Sequence, residues 1–273
     1  MPCNVKKYLE TLFPRLAIRY RSWRDKRMFA SQVMRPTSLG FDFIGVPGMP
    51  ESRTASGEVA ILRELLHGKD LFVDIGANCG LYSLIAAKAG VPVLAVEPNR
   101  LNYLRLKQNI DHNGFGHIQP YALALSDKSG RAALYGGGEG ASLLRNWGGM
   151  TNTYAQEVEV DTLDNFLSSR SGLGEFLIKI DVEGHEPAVL SGARGLLMRE
   201  KAPTWIIEHS FRENQDGGVN PRFLDLFELF WNAGYQCLTF DRERRMVWRD
   251  DVDRWLRTGV RDFGDVNYIF QKA

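Results

Sequence analysis

The sequence predicts a doubly wound α/β fold, with a mostly parallel sheet covered by helices on both faces. Short apolar runs alternate along the chain with stretches whose apolar residues recur at helical spacing. The runs are four to eight residues long, which favours buried strands of a parallel sheet. Two strands near the end of the chain have no long helix clearly between them, which predicts an antiparallel strand at the sheet edge.

The predicted elements follow each other regularly from residue 57 onward. Strands are expected at residues 71–75, 93–96, 118–125, 176–180, 204–208, 236–240 and 267–270. Helices are expected at residues 57–66, 81–89, 101–109, 187–197 and 223–233. Two further short strands, 131–135 and 157–160, enclose a glycine-rich loop. Residues 36–57 are rich in Pro, Gly, Ser and Thr, which predicts an irregular connection.

Composition is that of an ordinary soluble globular protein. The 273 residues are 44% apolar and 25% charged, and the net charge of +1 gives no general reason to expect nucleic acid as a partner. Three cysteines lie far apart, which argues against a disulfide framework and for a reducing, cytoplasmic setting. We find neither a signal-peptide run nor an apolar segment of the roughly 18–20 residues that span a bilayer.

The first 35 residues differ from the rest because nine basic residues face only two acidic ones. Apolar residues lie between these charges at helical spacing, interrupted at Pro14. Such a segment either packs on the following domain or lies on an anionic membrane surface, and both alternatives stay open. We therefore divide the chain into an extension with its connector, residues 1–52, and a main domain, residues 53–273.

The first motif with chemical meaning is the segment 71–81, in which a strand runs into a turn and then opens a helix. The turn has the pattern Asp-x-Gly-x-x-x-Gly, formed by Asp74, Gly76 and Gly80. A carboxylate before the first glycine disfavours a pyrophosphate and hence NAD. It favours a ligand with an ammonium group, such as the methionine end of S-adenosylmethionine.

The second motif is an acidic residue at the end of the next strand. Glu97 follows Gly76 by twenty-one residues, close to the spacing of about 20 at which an acid binds a ribose. A carboxylate can accept hydrogen bonds from both ribose hydroxyls. Alone, Glu97 is equally compatible with a solvated strand end, but with the glycine turn it predicts a nucleoside site.

The third motif is a crowd of ionisable groups after the buried strand 176–180. It consists of Asp181, Glu183, His185 and Glu186, and Glu208 ends the next strand beside His209. Ligands of open α/β sheets bind at this carboxyl edge. The cluster fits a sugar held by hydrogen bonds, or a divalent metal held by oxygen and imidazole ligands, which we do not predict.

With these motifs the chain resembles the FkbM family of methyltransferases over roughly residues 55–270. The matching stretches are VDIGANCGLYSL (73–84), VEPNRLNYLRLKQNI (96–110), ALSDKSG (124–130), VDTLDNF (160–166), IKIDVEGHEPAVLSGA (178–193) and IIEHS (206–210). The resemblance implies a Rossmann-like class I methyltransferase domain with seven strands, the last one antiparallel. It also implies S-adenosylmethionine as cofactor and O-methylation, often of sugar hydroxyls in glycans or of natural products.

The resemblance also assigns site residues by position. The cofactor residues it implies are Asp74, Gly76, Asn78, Gly80, Glu97 and Asn99, with Glu58 near the methionine end and Ala124 near the adenine. The proposed catalytic residues are His185, Glu183, Asp181 and Glu208.

The hypothesis for the mechanism has His185 as general base, because an imidazole near its free pKa is available at neutral pH. Glu183 or Asp181 orients His185 or holds the sugar.

The stretch 136–154 is interpreted either as an acceptor-side lid, with Trp147 stacking on a sugar, or as a plain surface loop. N-methylation of a small molecule and a non-catalytic cofactor-binding scaffold remain the alternatives. The acceptor is predicted to be a small molecule or glycan, without nucleic acid, and the oligomeric state is open.

Overall fold

The computed structural model describes residue 27 and residues 33–149, 155–170, 174–214 and 218–272. Within these ranges the strands are β1 (Arg35–Pro36), β2 (Asp42–Phe43), β3 (Leu71–Ile75), β4 (Val93–Val96), β5 (Ile118–Tyr121), β6 (Ala124–Leu125), β7 (Gly130–Tyr135), β8 (Ala155–Asp161), β9 (Phe176–Ile180), β10 (Thr204–Glu208), β11 (Tyr235–Thr239) and β12 (Asn267–Lys272). The α-helices are α1 (Met49–Ala55), α2 (Glu58–Leu66), α3 (Leu81–Lys88), α4 (Arg100–Asn113), α5 (Leu163–Phe166), α6 (Glu186–Ser191), α7 (Arg194–Leu197), α8 (Phe223–Asn232) and α9 (Arg249–Thr258). Most of the basic extension lies outside the described residues.

Seven strands form the central sheet in the order β11-β12-β10-β9-β3-β4-β5. The five strands from β10 to β5 run parallel to one another, whereas β12 is antiparallel to both β10 and β11. This confirms the predicted seven-stranded, mostly parallel sheet with an antiparallel strand. In one detail the structure differs, since β12 lies inside the edge and β11 is the outermost strand.

The central strands are buried on both faces, as their uninterrupted apolar sequences require. All five residues of β3 and all five of β9 are buried. On one face Val73 packs in a core with residues of α6 to α9, and on the other Phe72 packs with residues of α2, α3 and α4. Helices therefore cover both faces of the sheet, as predicted.

A second, three-stranded sheet (β6, β8 and β7) adjoins the central one and corrects one prediction. The segment 118–125, expected as one strand, is two short strands that belong to different sheets. β5 pairs with β4 in the central sheet, and β6 pairs with β8 after a two-residue break. Pro120 lies in β5 and cannot donate a ladder hydrogen bond, which fits a strand at the sheet edge.

Three helices, α1, α5 and α9, were not expected, and α5 is only four residues long. Helix α9 lies between β11 and β12, where we predicted no long helix, and it buries only Val252 and Trp255. Two buried positions make too narrow an apolar stripe for a clear periodic signal. Helix α1 lies in the segment expected to be irregular, and it begins after Gly48 with Pro50 in its first turn.

The helix expected over residues 187–197 is two short helices, α6 and α7, separated at Gly192. A Cβ atom at Gly192 would lie 2.1 Å from the carbonyl oxygen of Ser126, so the chain passes too close for any side chain there. No helix of the described residues is both long and apolar enough to cross a membrane.

The order of the strands decides which residues meet. Neighbouring parallel strands β4, β3, β9 and β10 end at the same edge of the sheet. Their carboxyl ends carry Glu97, Gly76, Asp181 and Glu208, which the chain separates by more than a hundred residues. This edge is where ligands of open α/β sheets bind.

Candidate active site

A cavity of about 230 Å³ lies at the carboxyl edge of the sheet. Eight of the twelve predicted site residues line it, namely Gly76, Asn78, Glu97, Ala124, Asp181, Glu183, His185 and Glu208. The fold thus brings together residues from the three motifs in one cavity.

Glu97 is held at the cavity wall by the turns that flank it. Its Oε2 accepts a hydrogen bond from the backbone N–H of Asn78 (2.8 Å), and its Oε1 accepts one from Asn99 (2.7 Å). Burial raises the pKa of Glu97 to about 7, although these backbone N–H groups oppose the shift. Asn102 Nδ2 also lies 3.5 Å from Oε1, so Oε2 is the oxygen that keeps a lone pair for a further hydrogen bond.

The four remaining predicted residues support the wall and do not line the cavity. Asp74 is buried beneath the turn and accepts a hydrogen bond from Ser83 Oγ in α3 (2.6 Å). Asn99 caps α4 by accepting from two backbone N–H groups. At Gly80 a Cβ would lie 2.5 Å from the side chain of Leu106, so this glycine allows close packing of α4. Glu58 is bonded to other side chains, as described below.

One side of the cavity is apolar. It is lined by Leu123, Ala124, Leu125, Leu134 and Leu143, which come from the second sheet and its loops. Such a surface suits a flat aromatic group and offers nothing to a charged one.

The opposite side carries a buried charge cluster. Lys179 is buried in β9, and its Nζ donates to Asp181 Oδ2 at 2.7 Å. Asp181 also shares a hydrogen bond with Glu208. Burial alone would raise the pKa of Asp181, but the ammonium of Lys179 lowers it. The charge of Asp181 and burial then raise the pKa of Glu208, so at neutral pH the two carboxyl groups share one proton.

Helices α1 and α2 add a second polar group at this side. Arg53 Nη1 donates to Glu58 Oε1 (2.8 Å), and the hydroxyl of Tyr82 donates to Glu58 Oε2. Ser56 Oγ donates to Glu58 Oε1 as well (2.9 Å). Glu58 thus fixes Arg53 and Tyr82, both of which line the cavity.

His185 lies on the wall between this cavity and a second one. The second cavity, of about 310 Å³, is also lined by Trp147, Ser210 and Arg222. His185 Nε2 lies 2.8 Å from Ser126 Oγ, which itself donates to Asp127 Oδ1 (3.0 Å). This pattern places the imidazole proton on Nε2. The buried Nδ1 has no hydrogen-bond partner among the described residues.

The segment 136–149, which we call the lid segment, covers the turn between β9 and α6. Trp147 Nε1 donates to Glu183 Oε2 (2.8 Å), and Ser142 Oγ donates to the Glu183 carbonyl (2.7 Å). A Cβ atom at Gly184 would lie 2.3 Å from the ring of Trp147, so the ring packs directly on this glycine. Trp147 therefore packs against the turn that carries Glu183 and Gly184, and it also lines the second cavity. Residues 150–154 of the predicted lid lie outside the described residues.

Glu186, at the end of the acidic motif, has a structural role in this turn. Its Oε1 accepts from the backbone N–H groups of Val182 and Gly184, each at 3.1 Å. Burial raises the pKa of Glu186 to about 7. The carboxyl group thereby fixes the turn that carries Glu183, whose φ of 56° is unusual for a residue other than glycine.

Sequence reasoning missed three residues of the site. Arg53 lies in the segment predicted as irregular, and Tyr82 gives no signal inside an apolar helix. Lys179 had a usable signal, because a lysine within a buried strand requires an acidic partner nearby. Within residues 33–149, 155–170, 174–214 and 218–272 we find no group of three His, Cys, Asp or Glu side chains arranged to hold a metal ion.

Comparison with known proteins identifies related chains. The hexuronic acid methyltransferase AglP of Haloferax volcanii is 30% identical over 150 residues, which cover 53% of this chain and 60% of that protein. Methyltransferase FkbM from Methylobacillus flagellatus KT is 21% identical, with a TM-score of 0.44 over 74% of this chain and 44% of the other. The O-methyltransferase from Bacillus cereus in complex with SAH is 13% identical, with a TM-score of 0.43 over 79% of each chain.

The family comparison covers more of the site. The model described as Methyltransferase FkbM domain matches residues 74–237, which is more than half of the chain. This range begins at Asp74 and includes Glu97, Asp181, His185 and Glu208, whereas Arg53 and Glu58 precede it. The chain therefore belongs to the FkbM methyltransferase family, as its motifs predicted.

Proposed function

We propose that this chain is an S-adenosylmethionine-dependent O-methyltransferase that acts on a sugar hydroxyl. The observation that carries the proposal is the position of His185, which lines both cavities and has a buried imidazole nitrogen without a partner. The first cavity suits the methyl donor and the second suits the acceptor, so the base lies between them.

The chemistry of the first cavity fits S-adenosylmethionine. Its apolar side suits an adenine ring, and Glu97 Oε2 has a lone pair for a ribose hydroxyl. Asp181, held ionised by Lys179, suits the ammonium of the amino acid arm. When bound, S-adenosylmethionine supplies a methyl group on a positively charged sulfur, which is open to attack by an oxygen nucleophile.

The residues of the chain then have two tasks. They align the acceptor oxygen with the methyl group, a contribution of about 7–11 kcal/mol in well-oriented reactions. They also take up the proton of the attacking hydroxyl. His185 Nδ1 has the unused lone pair for it, and because this atom is buried the ring must turn to present it to the acceptor. An unpaired buried acceptor costs about 1–3 kcal/mol, which a hydroxyl donating to Nδ1 would recover. Burial lowers the pKa of His185, so the imidazole is neutral and ready to accept at neutral pH.

The second cavity offers groups that bind sugars. Trp147 provides an aromatic surface, Ser210 a hydroxyl and Arg222 a guanidinium. Arg222 Nε already donates to Asp225 Oδ2 (3.0 Å), and the guanidinium has further N–H groups for an acceptor. A positive charge favours acidic sugars. The relative named as a hexuronic acid methyltransferase also supports testing hexuronic acids first.

Transfer of a labelled methyl group tests the proposal directly. The wild-type chain is incubated with S-adenosylmethionine carrying a labelled methyl group and a panel of hexuronic acids, neutral sugars and small amines. We expect label in a hexuronic acid hydroxyl. Label only in amines would favour N-methylation, and donor binding without transfer to any acceptor would favour a scaffold.

The variant His185→Gln tests the base. Loss of a positioned base lowers turnover by about 10²–10⁴-fold. We expect that fall in kcat with an unchanged Kd for S-adenosylhomocysteine, because His185 does not hold the donor in this account. The control is His112→Gln, which removes an exposed imidazole that bonds Asp42 and lines neither of the two cavities. Equal turnover of His185→Gln and wild type would contradict the role of His185.

A further inference from the structure

The charged end of the first cavity contains two side chains that are permanently or nearly permanently cationic. Among the described residues that line this cavity, Arg53 and Lys179 are the arginine and lysine side chains. Lys179 is 3% exposed and is held by Asp181, and its Nζ lies 4.5 Å from the centre of the Tyr82 ring. Arg53 is 39% exposed, so of the two it is the cation that a ligand can reach.

Glu58 orients the guanidinium of Arg53, but this bond uses only one of its N–H groups. Its Nη1 donates to Glu58, and the structure shows no further hydrogen bond from it to another described residue. A guanidinium has five N–H groups, so several remain for a ligand. Glu58 in turn accepts from Arg53, Ser56 and Tyr82, which leaves it engaged on both oxygens. Glu58 is therefore a positioning residue that holds Arg53 at the wall.

The strand order fixes which end of a bound donor lies near Arg53. The apolar side of the cavity, suited to adenine, lies beyond β4, and Glu97 at the end of β4 is placed for the ribose. The amino acid arm then extends across β3 toward β9, over two strand spacings of about 4.8 Å each. Asp181 ends β9, and its charge acts on Arg53. The arm thus ends between a carboxylate and a guanidinium.

From this arrangement, and resting on the proposed function, we propose that Arg53 binds the α-carboxylate of the amino acid arm of S-adenosylmethionine, while Asp181 binds its α-ammonium. The two protein charges match the two charges of the arm. This carboxylate site lies on α1, before the range matched by the family model. It makes α1 part of the donor site.

The test compares ligands that differ only in the arm. Binding of S-adenosylhomocysteine, of its decarboxylated analogue and of 5′-methylthioadenosine is measured by calorimetry for wild type and Arg53→Gln. A charge-assisted hydrogen bond contributes about 1.5–3 kcal/mol, or roughly ten- to a hundredfold in Kd. We expect Arg53→Gln to lose that factor for S-adenosylhomocysteine and to bind the decarboxylated analogue and 5′-methylthioadenosine within about threefold of wild type.

The matched control is Arg63→Gln, which removes the same charge from an exposed position of α2. We expect it to bind all three ligands as wild type does. Retained binding of the decarboxylated analogue also shows that Arg53→Gln is folded. Equal affinity of wild type and Arg53→Gln for S-adenosylhomocysteine would overturn the inference, as would an equal loss for all three ligands. Failure of the wild type to bind S-adenosylhomocysteine would instead overturn the proposed function on which the inference rests.

Discussion

Glu97 combines a structural role with a proposed binding role in one buried carboxyl group. It accepts backbone hydrogen bonds from the turns after β3 and β4, and it lines the cavity. Because burial raises its pKa to about 7, the group changes its protonation in the physiological range. The protonated form has one oxygen fewer to accept from ribose hydroxyls.

This titration predicts a pH dependence of donor binding. If Glu97 binds the ribose as proposed, the ionised form accepts more hydrogen bonds from it, so the affinity for S-adenosylhomocysteine should rise between pH 6 and pH 8 and then level off. At pH values where Glu97 is mostly protonated, the affinity should rise by up to about tenfold per pH unit. Calorimetry at pH 6, 7 and 8 measures it. Glu186→Gln serves as control, because the pKa of Glu186 is also raised to about 7 but this residue does not line the donor cavity. A flat profile for wild type would contradict the role of Glu97.

Gly76 has a different constraint, set by its neighbour across the sheet. Its φ is 82°, and a Cβ would lie 1.8 Å from the carbonyl oxygen of Asp181. We expect Gly76→Ala to lower the free energy of unfolding by on the order of 3 kcal/mol or more. Gly90→Ala is the control, because Gly90 has a similar φ of 85° and no atom within 4 Å of the added Cβ. We expect Gly90→Ala to lower the free energy of unfolding by about 1–2 kcal/mol. Denaturant unfolding of both variants checks this, and equal losses would show that the contact with Asp181 is unimportant.

At the scale of elements, the lid segment is attached to the turn after β9 by a few contacts. The main ones are the hydrogen bonds to Glu183 and the packing of Trp147 on Gly184. A second attachment is the bond from Asn102 Nδ2 to the Gly138 carbonyl (3.0 Å). Since Trp147 also lines the second cavity, its position sets the shape of the proposed acceptor site.

Gly184→Ala should therefore displace the lid segment without removing any polar group. The added Cβ would lie 2.3 Å from the Trp147 ring, so the ring must move. We expect faster hydrogen exchange in residues 136–149 and a higher KM for the sugar acceptor, with an unchanged Kd for S-adenosylhomocysteine. Gly234→Ala is the control, because Gly234 lies outside the lid segment, has a similar φ of 82° and has no atom within 4 Å of its added Cβ. Identical exchange in the two variants would rule out the proposed attachment.

The elements also show what the sequence predicts well and why. Strands β3, β4, β9 and β10 have the predicted bounds, because each is an apolar run that is buried on both faces. Helix α9 was missed because it lies on the outside of the fold and buries only two residues. The break between β5 and β6 was missed because the two residues between them, Ala122 and Leu123, are not turn residues, and only the tertiary fold assigns the strands to different sheets.

At the scale of the whole molecule, the site depends on strand order more than on any single motif. The sequence identified the acids at the ends of β4, β9 and β10, since an acid after an apolar run is a local pattern. That β9 lies between β3 and β10 is not a local property, and it is what brings Asp181 against Gly76 and beside Glu208. The contribution of α1 could not be predicted either, because Arg53 reaches the cavity from a segment without periodic apolar residues.

In our proposal the cavity at the carboxyl edge of the sheet binds S-adenosylmethionine through Glu97. Calorimetric titration of S-adenosylhomocysteine into wild type and Glu97→Ala measures this dependence. We predict one site with a micromolar Kd in wild type and a loss of at least about tenfold in the variant, since each charge-assisted hydrogen bond contributes about 1.5–3 kcal/mol. The absence of binding by wild type, or equal binding by the folded variant, would contradict the account.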